Sequence, residues 1–573
     1  MNLKSDEIEG GWYILKDWNL EDFDRNSIIT NLHVKYGVSP FFRVSVQRNP
    51  RVPDAYSITI SPSGLGLPDR YYYYTDQNDP IQGAYKQLIR DVVILFSQFT
   101  RTNAQKFGED MFSYEKRIAE ITPHIYESIN PVNTYNPIKL SELKITVSSL
   151  PLLDILSAMY PECNISEETE VIVTSIHYLT EVSHIASTTD KATLNSYLIW
   201  TLVREYLPYL SNEFTSTLNL FNGEVYGYQR ALPRWEKCVN LVRDVMGLAI
   251  EAGMESKHPI TNISLGVTSR MFDEIKKSVE QRLLKLHISS PLHKYLSNKL
   301  SRLQIQIGLP SVTRNASYVK DYYSKLMILK ASLFDSIKNS LFFKRRAEER
   351  LLTGSRPYDN IISHTINNPT RISYIASSNT ILVPRSVLTA PQFESDFPSS
   401  ILYGRLGVEI AEAVTSSVLP FDSQWTADFK LLSPFHLTVN ESYEAIGSTR
   451  SCILDFIENN NLAPKFSSEL TISTLKHLFA VSVAHQALNA ALRDSVHLHQ
   501  PSLEKLEESN LFFLSYAESQ CSILTKEQDL YDNVVKYALS KKSLLKTAWQ
   551  LLPEFNDVFD CSARHGERCG DMF

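Results

Sequence analysis

Helical periodicity runs through most of this chain and constrains its fold more than any other feature of the sequence. Apolar residues recur at steps of three and four, which is the spacing of one face of an α-helix. This spacing predicts helices at residues 84–100, 107–121, 193–210, 234–251, 269–287, 293–307, 401–422, 448–459, 470–493, 503–518 and 526–552. No internal repeat of fixed period is visible between residues 81 and 312. The sequence therefore predicts a mainly α protein.

Short strands and one charged segment divide this helical pattern. Residues 40–47, 55–60, 371–377 and 380–384 have the patterning of short β-strands. A chain of 573 residues is too long for one ordinary core. We place a junction in the charged segment at residues 318–370, between an N-terminal domain at 1–317 and a C-terminal domain at 371–573. The basic triplet at 344–346 favours a solvated helix over a processing site.

Composition and charge exclude some classes of function. The net charge of -7 argues against a nucleic-acid surface, which needs a concentrated basic stripe. No apolar run is long enough for a membrane span, and the first nine residues are too polar for a signal peptide. Read alone, these features predict a cytosolic protein. Sequons for N-glycosylation favour a secreted protein instead, and they occur at Asn164, Asn262, Asn315 and Asn440. They are weak evidence because such sequons arise often by chance.

The apolar helix at residues 401–422 carries the candidate site. Its polar side chains lie where a zinc peptidase would place H-E-x-x-H, two histidines that share one metal and a glutamate that activates water. In the same register this chain has Glu412, Ala413 and Ser416. A carboxylate, a methyl group and a hydroxyl thus stand in place of ligand, base and ligand. An amphipathic helix of the kind that carries H-E-x-x-H is present, but the side chains that would bind zinc and activate water are not.

Six short motifs occur along the chain in a recognisable order. They are G-L-G-L-P-D-R-Y-Y-Y at 64–73, R-W-E-K-C-V at 234–239, N-T-I-L-V-P-R-S-V-L at 379–388, L-Y-G at 402–404, L-F-F-L-S-Y-A at 511–517 and a cysteine-bounded tail at 559–569. In order and spacing they resemble the neprilysin and endothelin-converting-enzyme family of zinc metallopeptidases. No single motif is decisive, but six in this order over residues 10–573 are hard to produce by accident.

The resemblance implies a fold and assigns the functional positions. It implies a helix-rich, two-lobed ectodomain whose C-terminal, catalytic-type lobe is thermolysin-like. The family's zinc histidines fall on Glu412 and Ser416, and its catalytic glutamate falls on Ala413. The third zinc ligand falls on Thr474, and the aspartate that orients a zinc histidine falls on Leu478. The substrate-backbone motif N-A-F-Y falls on residues 371–374, where only Tyr374 survives, while the family's transition-state histidine and substrate arginine fall near residues 538 and 544.

These replacements predict a pseudo-peptidase that holds no zinc, because hydrolysis needs three protein ligands, a bound water and a base. Such a protein would bind peptides or extracellular protein partners, or modulate active relatives, and would not bind nucleic acid. The alternative is an active zinc metalloendopeptidase that processes extracellular peptides. A substitute metal site would need Glu409, Glu412, His477 and His485, and the spacing of eight between the histidines disfavours it. A third reading is a drifting gene product with no retained role.

Cysteines and location follow from the same resemblance. It pairs Cys452 with Cys569, and it pairs the counterparts of Cys238, Cys521 and Cys561 with an N-terminal segment that this chain lacks. Cys163 has no clear partner. The same absent segment carries the membrane anchor of the family, so we expect a truncated N-terminus and a protein at the cell surface or outside the cell. The other reading is that the three cysteines are reduced core thiols of a cytosolic product.

Overall fold

The structure is a computed structural model of the chain. It describes residues 11–14, 18–52, 54–76, 79–97, 99–228, 230–354, 358–420, 422–433, 436–463, 470–493, 505–560 and 569. These residues are mainly helical, as the periodicity predicts. None of the described helices is long and apolar enough to span a membrane.

The chain up to Ser301 contributes twelve α-helices within the described residues. They are α1 (Arg25–Asn31), α2 (Pro80–Phe96), α3 (Arg101–Ile121), α4 (Ile125–Ser128), α5 (Leu140–Thr146), α6 (Leu152–Met159), α7 (Ile176–Thr188), α8 (Lys191–Tyr206), α9 (Asn212–Tyr226), α10 (Arg234–Lys257), α11 (Asn262–Leu283) and α12 (Ser290–Ser301). Helix α8 is deeply buried, because every side chain from Leu194 to Val203 is covered.

The rest of the chain contributes twelve more within the same described residues. They are α13 (Ala316–Tyr322), α14 (Leu333–Gly354), α15 (Asp359–Asn367), α16 (Ser399–Leu402), α17 (Val408–Ser416), α18 (Leu437–Ala445), α19 (Gly447–Asn459), α20 (Thr471–Arg493), α21 (Glu508–Ser519), α22 (Lys526–Val535), α23 (Lys541–Leu551) and α24 (Pro553–Phe559). The single helix predicted at 526–552 is thus two helices. Tyr537 lies between them with a φ of 50°, a left-handed conformation that no helix continues through.

Two small sheets complete the fold. The first contains β1 (Phe42–Arg48), β2 (Tyr56–Pro62), β3 (Asn136–Lys139) and β4 (Glu170–Val173) in the order β1-β2-β4-β3, with β1 and β2 antiparallel. The second contains β5 (Gln304–Ile307), β6 (Ser373–Ile375) and β7 (Thr380–Val383) in the order β5-β7-β6. Residues 304–307, predicted as the end of a helix, form β5, because Gln-Ile-Gln-Ile alternates with the period of a strand.

The chain divides into two compact units that do not follow the sequence-based boundaries. Unit 1 contains Met1–Val239, Tyr323–Arg356 and Thr525–Tyr531, and unit 2 contains Asn240–Tyr322, Pro357–Leu524 and Asp532–Phe573. Residues 240–322 belong with the C-terminal part because β5 pairs in parallel with β7 and because α11 packs against α17 and α20. As limits of homologous domains, 1–317, 318–370 and 371–573 stay a prediction.

In unit 1, the motif at residues 64–73 is an architectural turn around a buried carboxylate. A side chain at Gly64, whose φ is 109°, would lie 1.9 Å from the carbonyl oxygen of Pro40. The backbone N–H of Gly66 donates to the hydroxyl of Tyr73 at 3.0 Å and to Glu115 at 3.2 Å. The glycines therefore allow close backbone approach to Glu115.

In unit 2, a continuous helical path leads to the candidate site. It runs from α16 through a π-helical turn, Tyr403–Gly407, into α17. The predicted apolar stripe of Leu402, Leu406, Ile410 and Val414 is buried. A π-turn of this kind inserts one residue into the helix and often adjoins a functional site.

Replacing Gly404 by alanine is expected to lower the free energy of unfolding by about 1–3 kcal/mol, the usual cost of overpacking. The added methyl carbon would lie 2.5 Å from the carbonyl oxygen of Phe512 in α21, and backbone cannot yield as a side chain can. Urea titration measures the change. Gly266→Ala is the matched control, since that position lies inside α11 with no atom within 4 Å of the added carbon. Equal effects of both substitutions would contradict this packing.

Candidate functional site

Three helices of unit 2 bring a glutamate, a histidine and a tyrosine into one hydrogen-bonded chain. An oxygen of Glu412 on α17 bonds to Nδ1 of His477 on α20, and Nε2 of His477 lies 2.6 Å from the hydroxyl of Tyr516 on α21. The side chain of His477 is 7% exposed and that of Glu412 is 28% exposed, while Tyr516 is buried. With Nδ1–H donating to the carboxylate, Nε2 accepts the O–H of Tyr516 while the ring is neutral and donates to that hydroxyl when the ring is protonated. The chain of bonds cross-links the helix that carries the candidate site to its two neighbours.

Glu412 is held in its ionised form. Burial alone would raise the pKa of its carboxyl, but the charge and hydrogen bond of His477, with Lys476 and Arg371, outweigh burial and lower the pKa to about 2. The carboxylate is therefore an acceptor at every physiological pH. This carboxylate is already hydrogen-bonded to His477.

Glu409, one helical turn earlier on α17, is the opposite case. Burial, and then the charge of Glu412, raise its pKa to about 7, against the smaller opposing effects of Lys541 and Arg371. Its Oε1 accepts a hydrogen bond from the side-chain amide of Gln392 at 3.0 Å. Two carboxyl groups on one helix thus differ in charge near neutral pH.

Replacing Glu409 by glutamine is expected to remove a pH dependence of stability. The folded pKa of about 7 exceeds the unfolded value of 4.5, so the contribution of Glu409 is full below pH 4.5 and is lost as pH rises through 7. For the wild type this predicts a fall of about 1 kcal/mol per pH unit between pH 5 and pH 6.5. Urea titrations across this range should show a flatter profile for Glu409→Gln. An unchanged slope would contradict the raised pKa of Glu409.

The other positions assigned by the resemblance carry no metal-binding group. The methyl group of Ala413 is 5% exposed, and Leu478 is buried. The hydroxyl of Ser416 donates to the backbone oxygen of Glu412 at 3.0 Å, and the buried hydroxyl of Thr474 has no hydrogen-bond partner among the described residues. Since α17 packs against α20, the two segments that the resemblance joins into one site do lie together.

The remaining candidate residues are engaged elsewhere. His485 bonds through Nε2 to the hydroxyl of Ser509 at 2.9 Å, away from the bond between Glu412 and His477. The hydroxyl of Tyr374 donates to Oδ1 of Asn379 at 2.9 Å. Tyr374 therefore fixes the turn after β6, and its role toward a substrate stays a prediction.

A zinc ion does not fit these residues. Among the residues that the structure describes, no group of three or more histidine, cysteine, aspartate or glutamate side chains is placed to hold a metal ion. Zinc requires three protein ligands and an open position for water. Glu412 and His477 bond to each other, and the second nitrogen of His477 is bonded to Tyr516.

Sequence reasoning missed His477 and Tyr516 as partners of Glu412. His477 was placed one residue away from the inward position of Leu478, yet both side chains are buried. The spacing of three residues between Thr474 and His477 could have identified His477, because it puts both residues on one helix face. Tyr516 lies within L-F-F-L-S-Y-A, which was recognised only as a landmark.

The predicted disulfide is present, and the predicted sequons are accessible. Cys452 and Cys569 are bonded, with Cα atoms 5.3 Å apart, and the bond ties α19 to the C-terminal tail. Cys163, Cys238 and Cys521 are free thiols, and Cys561 lies outside the described residues. The asparagines of all four sequons are exposed, and their glycosylation stays a prediction.

Comparison with known proteins decides the family. Two family models, both described as peptidase family M13, match residues 4–310 and 373–566, which together make up most of the chain. The chain belongs to peptidase family M13. The resemblance to the neprilysin and endothelin-converting-enzyme family is thereby confirmed.

Individual M13 relatives agree over nearly the whole chain. Endothelin-converting enzyme 1 of Bos taurus is 24% identical over 526 residues, covering 90% of this chain and 68% of the relative. Endothelin-converting enzyme-like 1 of Mus musculus is 22% identical over 550 residues, covering 94% of this chain and 69% of the relative.

Solved structures confirm the M13 fold. The inhibitor complex of zinc metalloprotease ZMP1 of Mycobacterium tuberculosis has a TM-score of 0.83 at 17% identity, covering 94% of this chain and 81% of that chain. PEPO from Lactobacillus rhamnosis has a TM-score of 0.77 at 15% identity, covering 95% and 82%. The predicted mainly helical, two-domain neprilysin-like fold is confirmed.

Proposed function

We propose that this M13 protein is a catalytically inactive, zinc-free member that binds peptides. The observation that carries the proposal is the bond between Glu412 and His477, because it uses the only acidic residue at the assigned ligand positions. With Ala413 in place of the general base, no carboxylate stands where water would be activated. The carboxyl of Glu409, one turn earlier on the same helix, is hydrogen-bonded to Gln392.

Peptide binding is supported by an open strand edge beside the candidate site. Strand β6 pairs with β7 on one side, and within the described residues no strand pairs with its other side. It lies against α17, the helix of Glu409 and Glu412. An extended peptide can add to such an edge through backbone hydrogen bonds, without any chemistry. We assign peptides or extracellular protein partners as ligands, and the cell surface or extracellular space as the location, which the exposed sequons favour.

The second candidate is an active zinc metalloendopeptidase. One observation favours it: Glu412 and His477 converge, and together they could supply two ligands if their mutual bond were broken. A third ligand would have to come from Glu409, whose carboxyl is held by Gln392. The family membership of the chain is compatible with either candidate.

Metal analysis and peptide assays separate the two candidates. The full chain is purified without chelators, its zinc content is measured by mass spectrometry, and cleavage of a fluorogenic peptide is followed with and without a zinc chelator. We expect no stoichiometric zinc and no chelator-sensitive cleavage, but saturable binding of the same peptide by fluorescence anisotropy. One equivalent of zinc with cleavage that the chelator blocks would establish the second candidate instead. An active M13 peptidase serves as the positive control.

A further inference from the structure

A cavity of about 390 Å³ lies in unit 2, away from the candidate site. The end of α10, the start of α11 and the turn at Ser311–Arg314 enclose it. Its lining combines an ionic pair with apolar surface from Ile260 and Leu265. A volume of this size and a mixed lining suit a small polar molecule with one apolar face.

The polar wall is a carboxylate with spare hydrogen-bonding capacity. Glu255 is 5% exposed, its Oε1 accepts a hydrogen bond from Nε of Arg314 at 3.2 Å, and Nη2 of Arg314 lies 3.2 Å from the same oxygen as an ion pair. Its Oε2 makes no hydrogen bond to the described residues. An ionised carboxylate can accept about four hydrogen bonds, so Oε2 of Glu255 can still accept hydrogen bonds from a molecule in the cavity.

The third component of the cavity is an asparagine that can carry a sugar. Asn262, the first residue of α11, lines the cavity, is exposed, and belongs to the sequon Asn262-Ile263-Ser264. Its amide makes no hydrogen bond to the described residues, whereas the side chain of the sequon residue Asn315 accepts one from the backbone of Ser317 at 2.9 Å. Asn262 is therefore free to present an attached group to the cavity.

We propose that the first sugar of an N-linked glycan on Asn262 occupies this cavity. Its hydroxyl or acetamido N–H groups donate to Glu255, and its C–H face packs on Ile260 and Leu265. Attachment forms a bond from Nδ2 of Asn262 to the anomeric carbon and breaks the bond from that carbon to a polyprenyl pyrophosphate donor. The amide proton leaves with the pyrophosphate. The inference rests on the extracellular location assigned under the proposed function, and not on the loss of catalysis.

Tethering explains how a site with few polar contacts can hold a sugar. A free monosaccharide would gain too little from two or three hydrogen bonds to offset the entropy of association. A sugar already attached to Asn262 experiences an effective concentration in the millimolar range or above. Weak contacts to Glu255 and Leu265 are then enough to order the sugar and to stabilise the start of α11.

The test is a comparison of thermal unfolding with and without the sugar. The full chain is secreted from a eukaryotic host, glycans are trimmed enzymatically to one N-acetylglucosamine, and occupancy of Asn262 is measured by peptide mass spectrometry. We expect Asn262→Gln to lower the Tm of this trimmed protein by about 2–4 °C. In unglycosylated protein from bacteria the same substitution should leave the Tm within about 1 °C, as for other exposed sites.

Three further variants make the result specific. Ser264→Ala removes the sequon by an independent route and should reproduce the loss. Asn440→Gln removes an exposed sequon on α18 and should not. Ala252→Phe fills the cavity and should abolish the difference between glycosylated and unglycosylated protein.

Two results would overturn the inference: an unmodified Asn262, or equal Tm shifts for Asn262→Gln in both preparations. If the shifts differ as expected in a protein that also binds zinc, the proposed loss of catalysis fails while this inference stands.

Discussion

Replacing His477 by alanine is expected to lower the free energy of unfolding at pH 7 by about 3 kcal/mol. His477 is the main group that holds the pKa of the Glu412 carboxyl at about 2, against an unfolded value of 4.5, with smaller effects from Lys476 and Arg371, and each unit of this difference is worth about 1.4 kcal/mol. Removing the imidazole leaves the carboxylate, 28% exposed, without its partner and leaves the hydroxyl of Tyr516 without an acceptor. Urea titration at pH 7 measures the loss.

The pH dependence of this loss separates charge from packing. Because the folded pKa of Glu412 is depressed, its stabilisation is full above pH 4.5 and is lost as pH falls toward 2. The difference between wild type and His477→Ala should therefore shrink at pH 3. His485→Ala is the matched control, a buried histidine on the same helix that bonds to a neutral hydroxyl. Burial lowers the pKa of His485 below its usual 6.5, so the effect of His485→Ala should already shrink below pH 6.5, whereas that of His477→Ala should shrink only below pH 4.5. Parallel pH profiles for the two variants would refute the role of Glu412.

This pair also illustrates why the candidate site was only partly predictable. The degenerate positions Glu412, Ala413 and Ser416 could be read from the register of one helix, because H-E-x-x-H is a local pattern. The contact between Glu412 and His477 joins residues 65 apart in sequence. It depends on how α17 and α20 pack, which no local pattern specifies.

The fold was more predictable where it depends on local spacing. The apolar stripe from Leu402 to Val414 identified the central helix, because a helix that buries one face carries apolar residues about every four positions. Strands β3 and β4, at Asn136–Lys139 and Glu170–Val173, were missed. Each has only four residues, too few to establish an alternation, and each becomes a strand through pairing with a distant partner.

Which segments belong to which compact unit also depends on pairing between strands that are far apart in sequence. Residues 240–317 precede the charged segment at 318–370 and so were assigned to the N-terminal domain. Their strand β5 pairs with β7, more than 70 residues later, and this register places them in unit 2. The disulfide between Cys452 and Cys569 was accessible only through the family resemblance, since six cysteines leave many pairings open.

Replacing Glu115 by alanine is expected to be the most damaging single change in unit 1, costing about 3–5 kcal/mol of unfolding free energy. The side chain of Glu115 is fully buried and accepts hydrogen bonds from the hydroxyls of Tyr73 at 2.7 Å and Tyr85 at 2.9 Å. It also pairs with Nη1 of Arg204 at 3.1 Å. Its removal leaves a guanidinium that is 17% exposed without a counter-charge. Breaking one member of such a pair costs more than the pair contributes, because the other charge stays buried.

Two companion variants show whether charge or hydrogen bonding is responsible. Glu115→Gln keeps an acceptor for Tyr73 and Tyr85 but removes the charge that faces Arg204, so it should recover only part of the loss. Combining Glu115→Gln with Arg204→Met removes both charges, and it should be milder than Glu115→Ala because no unpaired ion remains. Urea titration of the wild type, Glu115→Gln, Arg204→Met and the double variant gives the coupling between the two residues as a double-mutant cycle. A coupling energy near zero would mean that Glu115 acts only as a hydrogen-bond acceptor, and the motif at residues 64–73 would then be organised around its tyrosines rather than around an ion pair.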